Sequence, residues 1–314
     1  MFRSTLTTCA VLLVSASVWG GEPKPLWEIE TAGDKATAPG WLGYSPDGKA
    51  IVTVVVQNGK MDPPEYGYTL RVWDANTRVE RFTANLGRGR TPTWGNDLVA
   101  FPTDDSILTA GESLTVRALG DGKQGTMTYT GATADHGVWF TRDVQETFHL
   151  RREPDHEGQP AQLFYRSSNN PNNEFEGRRF RGDNRTTRQT DIQPPRPELR
   201  LQSIALNSGR TRLVAAFRDD STTSGKPRHA LTHYRINTIN TFSLETVAVA
   251  TSPHGGSVST LAFAQDGKTL ATGGEDGTIC LWDVKDTESG TWNPRSTLAS
   301  GDHRVVSVAF SPDC

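Results

Sequence analysis

The side chains best suited to acid–base or metal chemistry near neutral pH are the seven histidines, at positions 136, 149, 156, 229, 233, 254 and 303. Only His229 and His233 share a spacing that could serve a common ligand. A gap of four puts two imidazoles on one face of a helix, but on a strand it puts them on one sheet face and further apart, so the pair offers zinc little. The three cysteines, Cys9, Cys280 and Cys314, form no Cys-x-x-Cys pair and no disulfide framework. No Ser-centred nucleophile elbow, phosphate-cradling Gly loop or paired-carboxylate motif stands out. The residues therefore specify no catalytic group, no cofactor and no metal site.

A second chemistry resides in Ser167–Arg200, which is dense in Asn, Arg, Pro and Gly and lacks apolar periodicity. It reads as a long mobile loop. Arg178, Arg179, Arg181 and Arg185 cluster there with Phe175 and Phe180 interleaved, a pattern that could contact an anionic partner or nucleic acid, although a solvated linker is the preferred reading. Arg181-Gly182-Asp183 matches an integrin-binding tripeptide and Asn184-Arg185-Thr186 a glycosylation acceptor; both are short enough to arise by chance.

The elements that would position such residues are clearest between His254 and Val284. Ser257–Ala264 is a short branched and apolar run closed by Gln265-Asp266-Gly267, Lys268–Thr272 returns, Glu275-Asp276-Gly277 repeats the turn, and Thr278–Trp282 makes a third strand. Asp-Gly suits a hairpin turn because it tolerates positive φ. The same pattern recurs without gaps in Tyr44-Ser-Pro-Asp47-Gly-Lys-Ala-Ile-Val-Thr53, and its third strand, Thr69–Asp74, ends in Trp73-Asp74 as the later one ends in Trp282-Asp283. About ten residues around 58–66 are inserted in the earlier copy. An aromatic followed three residues later by Asp recurs as Tyr44/Asp47, Phe101/Asp104, Phe140/Asp143, Phe263/Asp266 and Phe310/Asp313, with a weaker copy at Leu206/Gly209. Repetition at roughly one blade length decides the fold class: an all-β propeller of five recognisable blades plus the start of another.

On these residues the chain resembles the WD40-repeat family, whose blades start near Gly-His and end in Trp-Asp. The resemblance implies a buried polar network tying each blade together, which here falls on His254, Thr272, Asp276 and Trp282, with Asp47, Trp73, Asp74, Asp266, Asp283 and Asp313 as repeat markers. A Trp N–H, an imidazole and a turn carboxylate inside a sheet must satisfy one another once water is excluded, so the network reads as structural. The blades are expected at 41–78, 94–120, 136–166, 201–237 and 254–284, with a partial one at 303–314 and the long loop at 167–200 between the third and fourth. The second, third and fourth lack Trp-Asp.

Charge and the N-terminus bound the partners and the compartment. Thirty-three basic against 36 acidic residues give a net charge of −3, which argues against nucleic acid as the main partner. Arg3, the apolar run Cys9–Val18 and Gly20-Gly21 have the form of a secretory signal over residues 1–20, too short to span a bilayer; an uncleaved anchor is the competing reading. Leu26–Glu30 alternates like a strand that could complete the last blade, leaving 21–314 as the propeller. Because the final repeat supplies only a first strand, the ring is expected to stay incomplete and its edge to self-associate. The leading expectation for function is a secreted or periplasmic, non-catalytic scaffold binding an unidentified protein or peptide, with no membrane span after signal cleavage. The rival is a propeller enzyme or cofactor carrier of quinoprotein-like type.

Overall fold

Every strand of the computed structural model is antiparallel to its sheet neighbours. It describes residues 37–58, 66–89, 99–109, 114–129, 138–140, 146–151, 161–167, 187–219, 229–237, 243–284, 292–299 and 304–312. Blade 1 is β1 (Thr37–Tyr44), β2 (Ala50–Asn58), β3 (Tyr66–Asp74) and β4 (Glu80–Gly89). Blade 2 is β5 (Val99–Thr103), β6 (Ser106–Thr109), β7 (Leu114–Ala118) and β8 (Gln124–Tyr129). Blade 3 is β9 (Val138–Phe140), β10 (Glu146–Arg151), β11 (Ala161–Ser167) and β12 (Thr187–Ile192). Blade 4 is β13 (Leu199–Leu206), β14 (Arg212–Asp219), β15 (His229–Asn237) and β16 (Ser243–Thr251). Blade 5 is β17 (Val258–Phe263), β18 (Thr269–Gly274), β19 (Thr278–Asp283) and β20 (Pro294–Ala299). In each sheet the strands lie in sequence order.

The core lies between blades. Alternate residues of β2 and β3, among them Val52, Val54, Leu70 and Val72, pack with Val99, Ile107 and Leu119 of blade 2. Leu163 and Ile192 of blade 3 pack against Leu213, Ala215 and Phe217 of blade 4. The other face of β14, Val214 and Ala216, packs with Val258, Leu261 and Trp282 of blade 5. A sheet buried on both faces by its neighbours must be apolar at both parities, which is why the middle strands read as near-continuous hydrophobic runs.

The fourth strands are what sequence reading missed, since the expected blade limits stop after the third. β15 is buried at seven of nine positions, whereas β16 alternates half-buried and exposed residues with one buried position, Ala250. An outer strand has a covered sheet on one edge only, so its composition is polar and carries little periodicity. The stretch 167–200 is corrected by this: Thr187–Ile192 is the outer strand of blade 3, paired with β11 from Ala161↔Ile192 to Arg166↔Thr187.

The turn chemistry is shared, and in one blade it differs from expectation. Ser45 N–H donates to Ala50 O and Gly48 N–H to Ser45 O; Ala264/Thr269 and Gly267/Ala264 repeat this in blade 5, and Asn207/Arg212 and Arg210/Asn207 in blade 4. Gly48 and Gly267 have φ of 72° and 62°, and Arg210 takes φ 54° at the same place. In blade 2 the Asp104-Asp105 turn is only two residues long, with Thr103↔Ser106 closing it.

Between blades 5 and 1, residues 304–311 lie outside any sheet rather than forming the expected first strand. Val305 N–H donates to Gly274 O, the Ser259 hydroxyl donates to Val305 O, and Val308 N–H reaches the Thr260 hydroxyl at 3.4 Å. On the other side Ser307 Oγ accepts from Leu42 N–H at 3.2 Å. Among the described residues, the sixth blade position thus holds a single segment and the ring of sheets is not closed. Residues 1–36, with the expected signal and the Leu26–Glu30 strand, lie outside the described residues.

Candidate functional site

Blade 5 brings His254, Thr272, Asp276 and Trp282 together. Thr272 and Trp282 face the same side of adjacent strands, β18 and β19; His254 enters on the loop before β17, and Asp276 on the β18–β19 turn. Trp282 Nε1–H donates to Thr272 Oγ1 at 3.0 Å. Thr272 Oγ1 lies 2.8 Å from His254 Nε2, and His254 Nδ1 lies 2.6 Å from Thr278 Oγ1. The Thr278 hydroxyl donates to Asp276 Oδ1 at 2.8 Å. The carboxylate's second oxygen accepts the Gly255 N–H at 2.5 Å.

With the buried imidazole neutral, one assignment of protons satisfies all of these contacts. The Asp276 carboxylate can only accept, so Thr278 spends its one proton there and must accept from His254 Nδ1–H. Nε2 is then the lone-pair nitrogen, accepting the Thr272 hydroxyl, which in turn accepts the indole N–H. The imidazole is held neutral in a fixed tautomer, and Thr272 and Trp282 have no solvent exposure at all. Burial lowers the His254 pKa, opposed by the nearby Asp276. Burial would raise that of Asp276, yet the Gly255 N–H and the Thr278 donors hold it below the ordinary carboxylate value. No lone pair or proton of the imidazole is left over for an outside molecule.

The remaining blades show how much of this chain survives elsewhere. The backbone bonds Val284 N–H to Lys268 O, Ile236 to Thr211, Ala75 to Lys49 and Leu119 to Asp105 place Trp282, Tyr234, Trp73 and Arg117 at equivalent positions. Trp73 Nε1–H reaches Thr53 Oγ1 at 3.4 Å, and Arg71 stacks 4.6 Å over the Trp73 ring. In blade 4, Ala215 stands at the threonine position, so the Tyr234 hydroxyl instead donates 2.5 Å to Gln193 O, at the exit of blade 3. Burial pushes the Tyr234 pKa well up.

The other markers are turn residues. Asp47 Oδ1 accepts Lys49 N–H, Asp266 Oδ1 accepts the N–H of Lys268 and of Thr269, and Asp74 Oδ1 accepts those of Asn76 and Thr77. Asp74 also holds Arg81 at 2.7 Å, and Asp283 holds Arg295 at 3.2 Å. Arg178, Arg179, Arg181, Arg185 and Asp313 lie outside the described residues.

His229 and His233 both face blade 5 from β15 but do different things. His229 is paired in register with Arg218, while the His233 ring lies 6.1 Å from Trp292, which also stacks 5.0 Å from Trp282. Among the described residues no three His, Cys, Asp or Glu side chains gather as a metal site. Thr278 and Trp292 were not singled out from sequence. Thr278 has a weak signal, two residues after the Asp of the β18–β19 turn, where Lys49 and Lys268 follow Asp47 and Asp266 of the first turn in their blades. Trp292 has none, being non-local. No helix among the described residues is long and apolar enough to cross a membrane.

Comparison with known proteins points the same way. Residues 246–283 match the family described as WD domain, G-beta repeat. Protein HIR1 of Kluyveromyces lactis is 32% identical over 73 residues, covering 20% of this chain and 8% of that protein. Transducin beta-like protein 2 of Homo sapiens is 36% identical over 73 residues, covering 23% and 16%. The matched stretch thus spans less than a fifth of the length of these relatives. Hydrazine synthase from Kuenenia stuttgartiensis superposes with a TM-score of 0.53 over 90% of this chain and 92% of that one; at 12% identity the likeness is one of fold alone. Five four-stranded sheets in sequence order and the superposition over most of the chain give this protein a β-propeller fold, and its blade 5 carries a repeat that matches the WD40 family.

Proposed function

We propose that the protein is a non-catalytic scaffold that binds a protein or peptide outside the cytoplasm. WD40-repeat proteins generally act as protein-interaction scaffolds, and the observation that carries the reading here is the closed proton inventory of blade 5. His254 and Asp276, the pair in blade 5 with the chemistry for acid–base work, are fully committed to Thr272, Thr278 and the Gly255 N–H. A general base must keep a lone pair within reach of a substrate proton. These residues instead fasten β18, β19 and the loop before β17 into one unit, and the recognition surface is left to loops at the two ends of the propeller. The extracytoplasmic placement rests on Arg3 and the Cys9–Val18 run.

Site-specific photo-crosslinking in an exporting host tests this. A crosslinker at Arg200, near the start of β13, is expected to trap one defined polypeptide in the exported fraction, and one at Val79, on the opposite end, to trap less. Turnover of a redox dye or ester panel by purified protein that His254→Ala abolishes without unfolding it would overturn the reading.

A further inference from the structure

β16 is the outermost strand of blade 4, and among the described residues no strand pairs beyond it. Ser252 N–H donates to His229 O, and at the other end of β15 the Ile236 N–H donates to Thr211 O, on the β14 side. In an antiparallel ladder the N–H and C=O of one residue point the same way, and the direction alternates along the strand. The odd-numbered residues of β15 therefore face β16, and the register partners of its even-numbered residues turn their backbone groups away from β15. Those partners are Leu244, Thr246, Val249 and Thr251, opposite Ile236, Tyr234, Thr232 and Ala230, because the bulge skips Val247. Pro253, exposed and without an N–H, ends the row.

This edge carries few of the devices that keep sheet edges apart, such as charge, proline or short length. Thr246–Thr251 has no charge and no proline, and four of its six residues are β-branched. Thr246, Val249 and Thr251 are exposed. Val249, at 47%, is one of two exposed large hydrophobics among the described residues; the other, Val79, lies in the loop before β4. By contrast β4 carries Glu80, Arg81 and Arg88, β12 carries Arg188 and Asp191, and β20 opens on Pro294-Arg295. β8 is uncharged, but its ladder to β7 is broken by a bulge between Thr115 and Arg117. Glu245, just before the uncharged run, meets Arg235 at 3.2 Å and stays 63% exposed, with acceptor capacity for a second cation.

We propose that β16 takes up an extended segment of the partner as an antiparallel fifth strand of blade 4, and that this segment alternates β-branched residues and ends in Lys or Arg opposite Glu245. Main-chain hydrogen bonds to Thr246, Val249 and Thr251 supply the affinity, and the side chains that cover Val249 and meet Glu245 supply the selectivity. The inference rests on the peptide-binding reading above and adds the place, the mode and the side-chain pattern. Thr251 lies at the same end of blade 4 as Arg200, since Arg200, Arg218 and His229 are successive register partners and Ser252 bonds to the last. One partner can thus meet the edge and the loops at that end.

The test adds the acetylated amide Val-Thr-Val-Thr-Val-Lys to the full chain and follows backbone amide exchange by NMR. With its three Val opposite Thr251, Val249 and Thr246 and its Lys opposite Glu245, the peptide should slow exchange at those three amides at least tenfold and leave Ala248 and Ala250, already bonded to β15, unchanged. N-methylation of the second and third Val, whose N–H groups face β16, should abolish binding; N-methylation of the two Thr, whose N–H groups face away, should leave it intact. Val249→Lys, an exposed change that puts a charge on the edge, should weaken binding about tenfold, with Val79→Lys without effect. Glu245→Gln should weaken it a few-fold, as should a peptide ending in Glu. No binding by wild type, equal affinity in Val249→Lys, or equal binding of the two N-methylated peptides overturns the proposal. So does protection of the three amides without peptide in a protein that sediments as a dimer, because a second copy then fills the edge. If a crosslinker at Val249 traps nothing while one at Arg200 traps its polypeptide, the strand is wrong and the scaffold reading stands; if neither traps anything, the scaffold reading falls.

Discussion

Trp282 donates its indole N–H to the Thr272 hydroxyl at 3.0 Å, and the same relationship returns in blade 1, from Trp73 to Thr53 at 3.4 Å. In both blades the threonine sits two residues beyond the register partner of the tryptophan, Leu270 for Trp282 and Ile51 for Trp73. The bond is therefore diagonal across a strand pair, within reach of a long aromatic side chain.

Trp282→Ala is expected to destabilise the protein by about 3–5 kcal/mol, because it removes a fully buried indole and leaves Trp292 facing a cavity. Trp282→Phe should cost less, about 1–3 kcal/mol, chiefly through the lost donor to Thr272. Urea unfolding followed by circular dichroism measures both. A wild-type midpoint for Trp282→Ala would show that the indole is not part of the fold.

Thr278 relays between His254 and Asp276, so Thr278→Val should cost about 1–3 kcal/mol even though the side chain is only half-buried. Its effect should be non-additive with His254→Ala, since either change severs the same chain of bonds. A double-mutant cycle that closes with purely additive energies would place Thr278 outside the network.

Acid should loosen blade 5 in two stages. Burial depresses the His254 pKa, so below its ordinary value near 6.5 the unfolded chain binds the proton that the folded chain refuses, and stability falls as pH drops from about 6.5 towards the folded value. Asp276 is also depressed, so its share persists above the ordinary carboxylate range and is lost only as pH falls through that range. Melting temperatures from pH 8 to 4 should show the first loss in wild type and a smaller one in His254→Gln. Identical profiles would remove His254 as its origin.

The shared turn position invites a swap. Gly267→Ala should destabilise by about 1–2 kcal/mol, because φ is 62° there and the added Cβ would lie 3.1 Å from Asn207 Nδ2. Arg210→Gly, at φ 54°, should recover up to about 1 kcal/mol of the strain a side chain meets there. Differential scanning calorimetry of the two variants should move the transition in opposite directions; shifts of the same sign would show that neighbouring contacts, not backbone strain, govern this turn.

Export is tested at the N-terminus. Protein produced with its leader in an exporting host should begin near Gly21 when sequenced, and an intact Met1 on soluble cytoplasmic protein would overturn the expectation.

What the sequence by itself determined is local. Asp-Gly turns, the runs of branched residues between them and the recurrence of Tyr44–Thr53 in Phe263–Thr272 specify hairpins and their repetition, because each depends on residues a few positions apart. Tertiary structure decided whatever depends on which blade lies beside which. The outer strands β4, β8, β12, β16 and β20 gain strand geometry from the edge they add to, not from a pattern of their own, so Thr187–Ile192 could pass for loop. Thr278 and Trp292 became parts of the site only when β18, β19 and the chain after β19 were brought together, and Ser307 met Leu42 across 265 residues. The Arg200–Arg218–His229 row is a clear case: three residues drawn from three strands, of which only His229 stood out in sequence, are set side by side by register alone.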